Sequence, residues 1–207
     1  MHLYTITGRS STGKDSIYAR LLKMIPDKLI GIATYTTRPM RPGEVEGEQY
    51  FFKNNEQYEF LKKSGRIIEE RSYDTGFNVW HYFTVDDEQF RNVPEGKSIL
   101  IVCSLVQVKN YQDYFGRENV TPLYIDIDDV TLMERSLKRE KAKEVPNVRE
   151  LCRRFISDKE EYTDELKAEV GVDIVFKNDG LIEDVLAEIV EYISETEKKR
   201  SQHIDIA

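Results

Sequence analysis

Nine consecutive residues near the start carry the densest chemistry in the chain: Gly8, Arg9, Ser10, Ser11, Thr12, Gly13, Lys14, Asp15 and Ser16. They follow the apolar run 3–7 and lead into a helical pattern with Ile17, Leu21, Leu22 and Ile25 on one face, stopped by Pro26. A glycine-containing turn between a buried strand and a helix lets successive backbone N–H groups point inward at phosphate oxygens. The positive helix end lies behind them, and the lysine ammonium reaches toward the β- and γ-phosphates. The nine residues are thus expected to bind a nucleoside triphosphate, with Lys14 as a catalytic cation. The strict pattern places Ser or Thr directly after the lysine as a magnesium ligand. Here Asp15 stands there and Ser16 follows, so either is a candidate contact for a nucleotide-borne Mg²⁺.

A second constellation lies at Thr36–Phe52. Arg38 and Arg41, three residues apart on a proline-stiffened loop, can converge on one phosphate with fork-like hydrogen bonds, and Tyr50 adds a neutral donor. Taken alone, such a loop is more readily an exposed arginine–proline turn. Further on, Arg135, Arg139, Arg149, Arg153 and Arg154 sit on two helical patterns among glutamates that could pair with them. Asp126, Asp128 and Asp129 read best as helix capping. His2, His81 and His203 are scattered and suggest no metal site.

The elements that must position these residues alternate. Apolar runs at 3–7, 98–104, 120–127 and 172–178 read as strands buried on both faces. Helices are expected over 15–25, over 105–115 behind Ser104 and ending at Gly116, from Asn147 to about 165, and over about 181–195. Strands alternating with helices imply a parallel sheet wrapped by helices. Residues 34–85 break the rhythm, with a short helix near 55–64 and strand-like pieces at 66–73 and 79–85, and read as an inserted antiparallel lobe. Residues 138–149 are charged, contain Pro146 and read as a small mobile lid. The reading is one domain over 1–207, with core 1–33, 86–137 and 150–195, lobe 34–85, lid 138–149 and a frayed polar tail at 196–207.

Composition sets the outer limits. A chain of 207 residues with 40% hydrophobic content can bury a core. The net charge of −8 argues against a general nucleic-acid binder. No run approaches the roughly 18 uncharged apolar residues of a membrane span, and the first residues do not read as a secretory signal. Two cysteines, Cys103 and Cys152, make no disulfide framework. A cytoplasmic protein is expected. The oligomeric state is open.

At Thr36–Tyr50 the sequence reads TTRPMRPGEVEGEQY, and this run, with the phosphate loop and Ile67-Ile68-Glu69, resembles the guanylate kinase family over nearly the whole chain. The resemblance implies an α/β, three-layer P-loop NTPase fold, ATP and Mg²⁺, and a nucleoside monophosphate acceptor, GMP. It assigns Thr34, Arg38, Arg41, Tyr50 and Glu69 to the acceptor pocket, the two arginines and Tyr50 holding phosphate and Glu69 meeting the N1–H and 2-amino donors of guanine. It matches Arg139 and Arg154 to the arginines that cover the donor phosphates. The chain departs from the pattern at four positions and in one stretch. Arg9 stands for a proline, Ser11 for the middle glycine, and Val102 and Ser104 for two aspartates. The stretch Gly76–Phe83 is longer and more aromatic, with Tyr82 or Trp80 available to contact the substrate. Two other readings stay open: a kinase of this fold with another phosphorylated acceptor, and a non-catalytic phosphopeptide-binding module.

Overall fold

The structure, a computed structural model, describes residues 1–74, 76 and 78–204. Strand β1 (Leu3–Thr7) is buried along its whole length. Its alternation divides it between two cores. Tyr4 and Ile6 pack with Ile17 and Leu21 of helix α1 (Lys14–Met24) and with Val185, Ile189 and Ile193 of the last helix, α8 (Ile182–Ile204). Leu3 packs on the other side with Leu105, Val108 and Tyr111 of α4 (Leu105–Phe115). The sheet order is β2 (Leu29–Gly31), β7 (Ser98–Val102), β1, β8 (Val120–Asp126) and β9 (Val175–Lys177), all parallel. Three layers result, with the phosphate loop at the carboxyl end of the central strand, where open α/β sheets bind ligands.

Residues 34–85 build a second sheet in the order β4 (Tyr50–Phe52), β3 (Thr34–Thr36), β6 (Val79–Val85), β5 (Ile67–Asp74). β5, β6 and β3 are antiparallel, as expected of the lobe, but β4 runs parallel to β3. The loop between β3 and β4 crosses back to the start of the strand instead of turning tightly, and this makes the sheet mixed. One face packs Tyr35, Ile67, Phe83 and Val85 on Tyr58 and Leu61 of α2 (Asn55–Lys63). Period-two alternation sends Thr34, Thr36, Tyr50, Tyr82 and Thr84 to the opposite face, and a bulge between Ile67 and Glu69 brings Glu69 there, across from Thr84. A short helix, α3 (Glu88–Arg91), then returns the chain to β7.

The expected lid takes a different form. Helix α5 (Asp129–Lys141) runs into 138–149 from one side and α6 (Val148–Glu161) from the other. Glu140, 5% exposed, accepts the Asn147 amide at 2.5 Å and the Lys143 ammonium at 2.6 Å, which closes the connection tightly. Charge without an apolar face reads as a loop, whereas here the charges satisfy one another across helix ends. Asn147 caps α6 through the Glu150 amide as expected. The helix stops at Glu161, short of 165, because Thr163 starts a separate helix, α7 (Asp164–Glu169), by accepting the Leu166 amide. Helix α8 extends past the expected end near 195 to Ile204, so the tail reading fails over 196–204; residues 205–207 lie outside the described residues. No helix among the described residues is long and apolar enough to cross a membrane.

His2 ends the buried strand layer at 3% exposure, its Nε2 paired with Thr121 Oγ1 at 2.9 Å and its Nδ1 without a partner. Burial, then the charges of Arg200 and the chain amine, pull its pKa from 6.5 to about 3. Between those values the unfolded chain holds a proton that the folded chain refuses, so folding stability should decline as pH falls from 6.5 toward 3. The expected slope reaches about 1.4 kcal/mol per pH unit. Denaturant titrations at pH 7 and 5 should show this decline in the wild type and a smaller one in His2→Leu.

Candidate active site

The phosphate loop is shaped by close approaches as well as by turn chemistry. Gly8 has φ 146°, and a Cβ there would lie 2.2 Å from the Ile125 carbonyl oxygen. Gly13, at φ 94°, would meet the Asn178 amide nitrogen at 2.5 Å. Neither position accepts a side chain. Ser11, in place of the expected middle glycine, adopts the left-handed conformation at φ 66°, a cost that short polar residues bear better than most. Asn178, 4% exposed at the end of β9, donates to the Thr12 carbonyl at 2.7 Å and holds the loop from behind. Lys14 Nζ donates to the carbonyls of Gly8 at 2.5 Å and Arg9 at 2.8 Å. Burial holds the pKa of this ammonium below the ordinary lysine value, so it gains from a phosphate anion placed beside it.

Ser11, Gly13, Lys14, Asp15 and Ser16 line one cleft with Arg135 and Arg139 of α5. A neighbouring cleft, lined in part by Ser10, Ser11, Arg139, Arg154 and Asp158, extends it toward α6. The two helices therefore bring Arg139 and Arg154 to clefts lined by loop residues. Arg154 is held there by Glu150, whose carboxylate accepts its Nε at 2.8 Å and takes Arg153 in a two-pronged pair at 2.7 and 2.8 Å. Those two arginines lower the Glu150 pKa to about 2. Asp15 and Ser16 are exposed on the first turn of α1. Arg9 differs from expectation. Its side chain leaves the cleft for Asp126 and Asp129, and only its backbone serves the loop, through the carbonyl that accepts Lys14. Asp128 caps α5 by accepting the amides of Val130 and Thr131.

The polar face of the second sheet gathers the acceptor candidates. Thr34 stands across from Tyr50 in register, and Thr36 across from Tyr82. Arg38, 3% exposed, lies 5.6 Å from the ring centroids of both Tyr50 and Phe52, and the Tyr50 and Tyr82 rings are 5.7 Å apart. The Glu44 carboxylate takes the Arg38 guanidinium at 2.7 and 3.0 Å and the Arg41 amide at 2.7 Å. Arg41 itself is exposed. Tyr82 thus joins Arg38 and Tyr50, while Trp80 pairs with Tyr73 farther out along β6; Phe77 lies outside the described residues.

Glu69 occupies the inner end of the same face at 4% exposure. It accepts from Thr84 Oγ1 at 2.6 Å and from Gln107 Nε2 at 2.8 Å. Burial raises its pKa, and the hydrogen bonds from Thr84, Gln107 and Tyr111 oppose the rise.

Sequence reasoning missed Glu44, Gln107, Asn178 and Asp158. Gln107 completes the Ser104 cap, its Oε1 accepting the Ser104 amide at 2.9 Å, and so presents its NH₂ to Glu69. The Ser-x-x-Gln spacing was a readable signal for that cap. Asp158 accepts the Ser10 amide at 2.6 Å from a distant helix, and nothing local in sequence announces it. Among the described residues no three His, Cys, Asp or Glu side chains gather into a metal-holding group.

The family model described as guanylate kinase matches residues 1–196. A guanylate kinase of Trichodesmium erythraeum (strain IMS101) is 29% identical over 184 residues, 89% of this chain and 91% of that protein. One of Legionella pneumophila (strain Lens) is 38% identical over 80 residues, and the match spans 39% of this chain and 36% of that protein. The crystal structure of guanylate kinase from Anaplasma phagocytophilum superposes with a TM-score of 0.63 at 21% identity, covering 95% of this chain and 86% of that one. With a family model matched along nearly all of its length, the chain belongs to the guanylate kinase family.

Proposed function

We propose that this protein is an ATP-dependent nucleoside monophosphate kinase that converts GMP to GDP by in-line transfer of the γ-phosphate. The observation that carries the reading is the pairing of two sites in one chain. A lysine-bearing phosphate loop lies under the α5 arginines, and a separate face combines Arg38, Tyr50 and Tyr82 with an inner carboxylate, Glu69. The names of the relatives, all guanylate kinases, point the same way.

In this mechanism the loop amides and Lys14 hold the β- and γ-phosphates, and Arg139 and Arg154 meet the charge that spreads over the moving group. Thr34, Arg38, Arg41, Tyr50 and Tyr82 hold the acceptor, and Glu69 accepts the donor edge of guanine. The acceptor oxygen is already ionised at neutral pH, so no general base is needed. Residues 34–85 serve as the monophosphate-binding lobe. The connection between α5 and α6 acts as the lid that keeps water from competing as acceptor. The side chains present fit a Mg²⁺ that arrives on the nucleotide, with Asp15 or Ser16 lending a ligand directly or through water. That ion would supply positive charge against the triphosphate's negative charge. The proposed setting is the cytoplasm, with no nucleic-acid or membrane partner. An intact loop with Lys14 weighs against a phosphopeptide-binding module.

The test is a coupled assay with ATP, Mg²⁺ and a panel of nucleoside monophosphates. ADP release that depends on GMP above all others is expected. Preference for a different acceptor would keep the kinase and discard the guanine assignment, and absence of turnover with every acceptor would discard both.

A further inference from the structure

Arginine in the first position after the opening glycine of a phosphate loop is free to face the ligand, yet Arg9 does not. The residue is 7% exposed, and its guanidinium is spent on three acceptors: Asp129 Oδ1, Asp126 Oδ1 at 3.0 Å and the Ile127 carbonyl at 2.6 Å. Asp129 is the first residue of α5 and also takes Lys159 of α6 at 2.6 Å. Asp126 ends β8 and also takes Lys177 at 2.7 Å. One buried fork therefore ties the phosphate loop to the root of the helix that carries Arg135 and Arg139.

The geometry points to Arg9 as a positioning residue that aims the α5 arginines at the triphosphate; this rests on the phosphotransfer reading above. From the Asp129 anchor, Leu132 is buried one turn on and lines the cleft with Ser10 and Ser11. Arg135 and Arg139 follow at helical spacing on the cleft side. Arg139 stands about 15 Å along the axis from the anchor, so a tilt of roughly 4° at the root carries it about 1 Å. A misplacement of that size costs on the order of 10² in rate. A lysine at position 9 keeps the charge but not the fork, and cannot span two carboxylates and a carbonyl with the same geometry.

The test is a cycle of Arg9→Lys, Arg139→Ala and the double variant, with thermal midpoints measured on each. Arg9→Lys should lower kcat at least tenfold and weaken Mg-ATP binding, while KM for the monophosphate changes less than threefold. In the Arg139→Ala background it should add no more than a twofold loss, because the residue it aims is gone. A purely structural Arg9 would instead lower the midpoint and leave kcat intact, or its loss would multiply with that of Arg139→Ala; either result overturns the inference. So does an Arg139→Ala enzyme running at the wild-type rate. Should Arg9→Lys fail to fold, Asp129→Asn opens the same link from the helix side and carries the same expectations. If the wild type turns over no monophosphate, the function reading falls. Calorimetric titration with Mg-ATP then decides the positioning claim: shared, non-multiplying losses of affinity support it, and unchanged affinities overturn it.

Discussion

Lys14→Ala is expected to cut GMP-dependent ADP release by on the order of 10³-fold or more while leaving the protein folded. Removing one preorganised donor from a charge-stabilising site typically costs about 10²–10³ in kcat, and Lys14 carries a full charge besides. Its ammonium makes no contact that the hydrophobic cores depend on. Its partners are the Gly8 and Arg9 carbonyls at the rim of the loop. Burial disfavours the ammonium in the free protein, so the substitution also removes a desolvated charge, and the thermal midpoint should not fall. Initial rates and a melting curve on the same preparation check both halves. Wild-type turnover in the variant would remove Lys14 from the chemistry.

The second large effect concerns the base. Glu69→Gln should lower kcat/KM for GMP by on the order of 10² or more, since two hydrogen bonds to a charged group are worth about 1.5–3 kcal/mol each. KM for ATP should stay within twofold. The substituted amide also turns an NH₂ toward Thr84 or Gln107, both of which donate to the native carboxylate. A pH profile adds a separate readout. Burial raises the Glu69 pKa above its ordinary 4.5, so the carboxylate is protonated, and GMP use declines, at a higher pH than for a free glutamate. That acid limb should disappear in the glutamine variant. Equal losses for GMP and ATP would show that Glu69 supports the fold and does not read the base.

How much of this was legible before the structure depends on where the determining contacts lie. Strands β1, β7 and β8 of the main sheet, the phosphate loop and the helix behind Ser104 follow from local pattern, because burial on both faces and capping leave their mark within a few residues. β2, β3 and β4 have three residues each, too few for periodicity to speak. The parallel pairing of β4 is set by where a loop crosses, which composition does not encode. The α5–α6 connection read as open loop because its order comes from Glu140 reaching the Asn147 amide. Arg9 shows the limit most clearly. Its position in the motif pointed to phosphate, while its partners, Asp126 and Asp129, stand more than a hundred residues away in sequence. Aspartates read as caps turned out to divide the work: Asp128 caps, and its neighbours hold the loop.

The central claim is that one molecule holds a triphosphate at the start of α1 and a monophosphate on the second sheet, end to end. A single conjugate in which adenosine and guanosine are joined by five phosphates tests this directly. Titrated into the protein with Mg²⁺, it should bind more tightly than ATP or GMP alone and be displaced competitively by either. A conjugate that binds no better than ATP, or that only one of the two nucleotides can displace, would contradict the account.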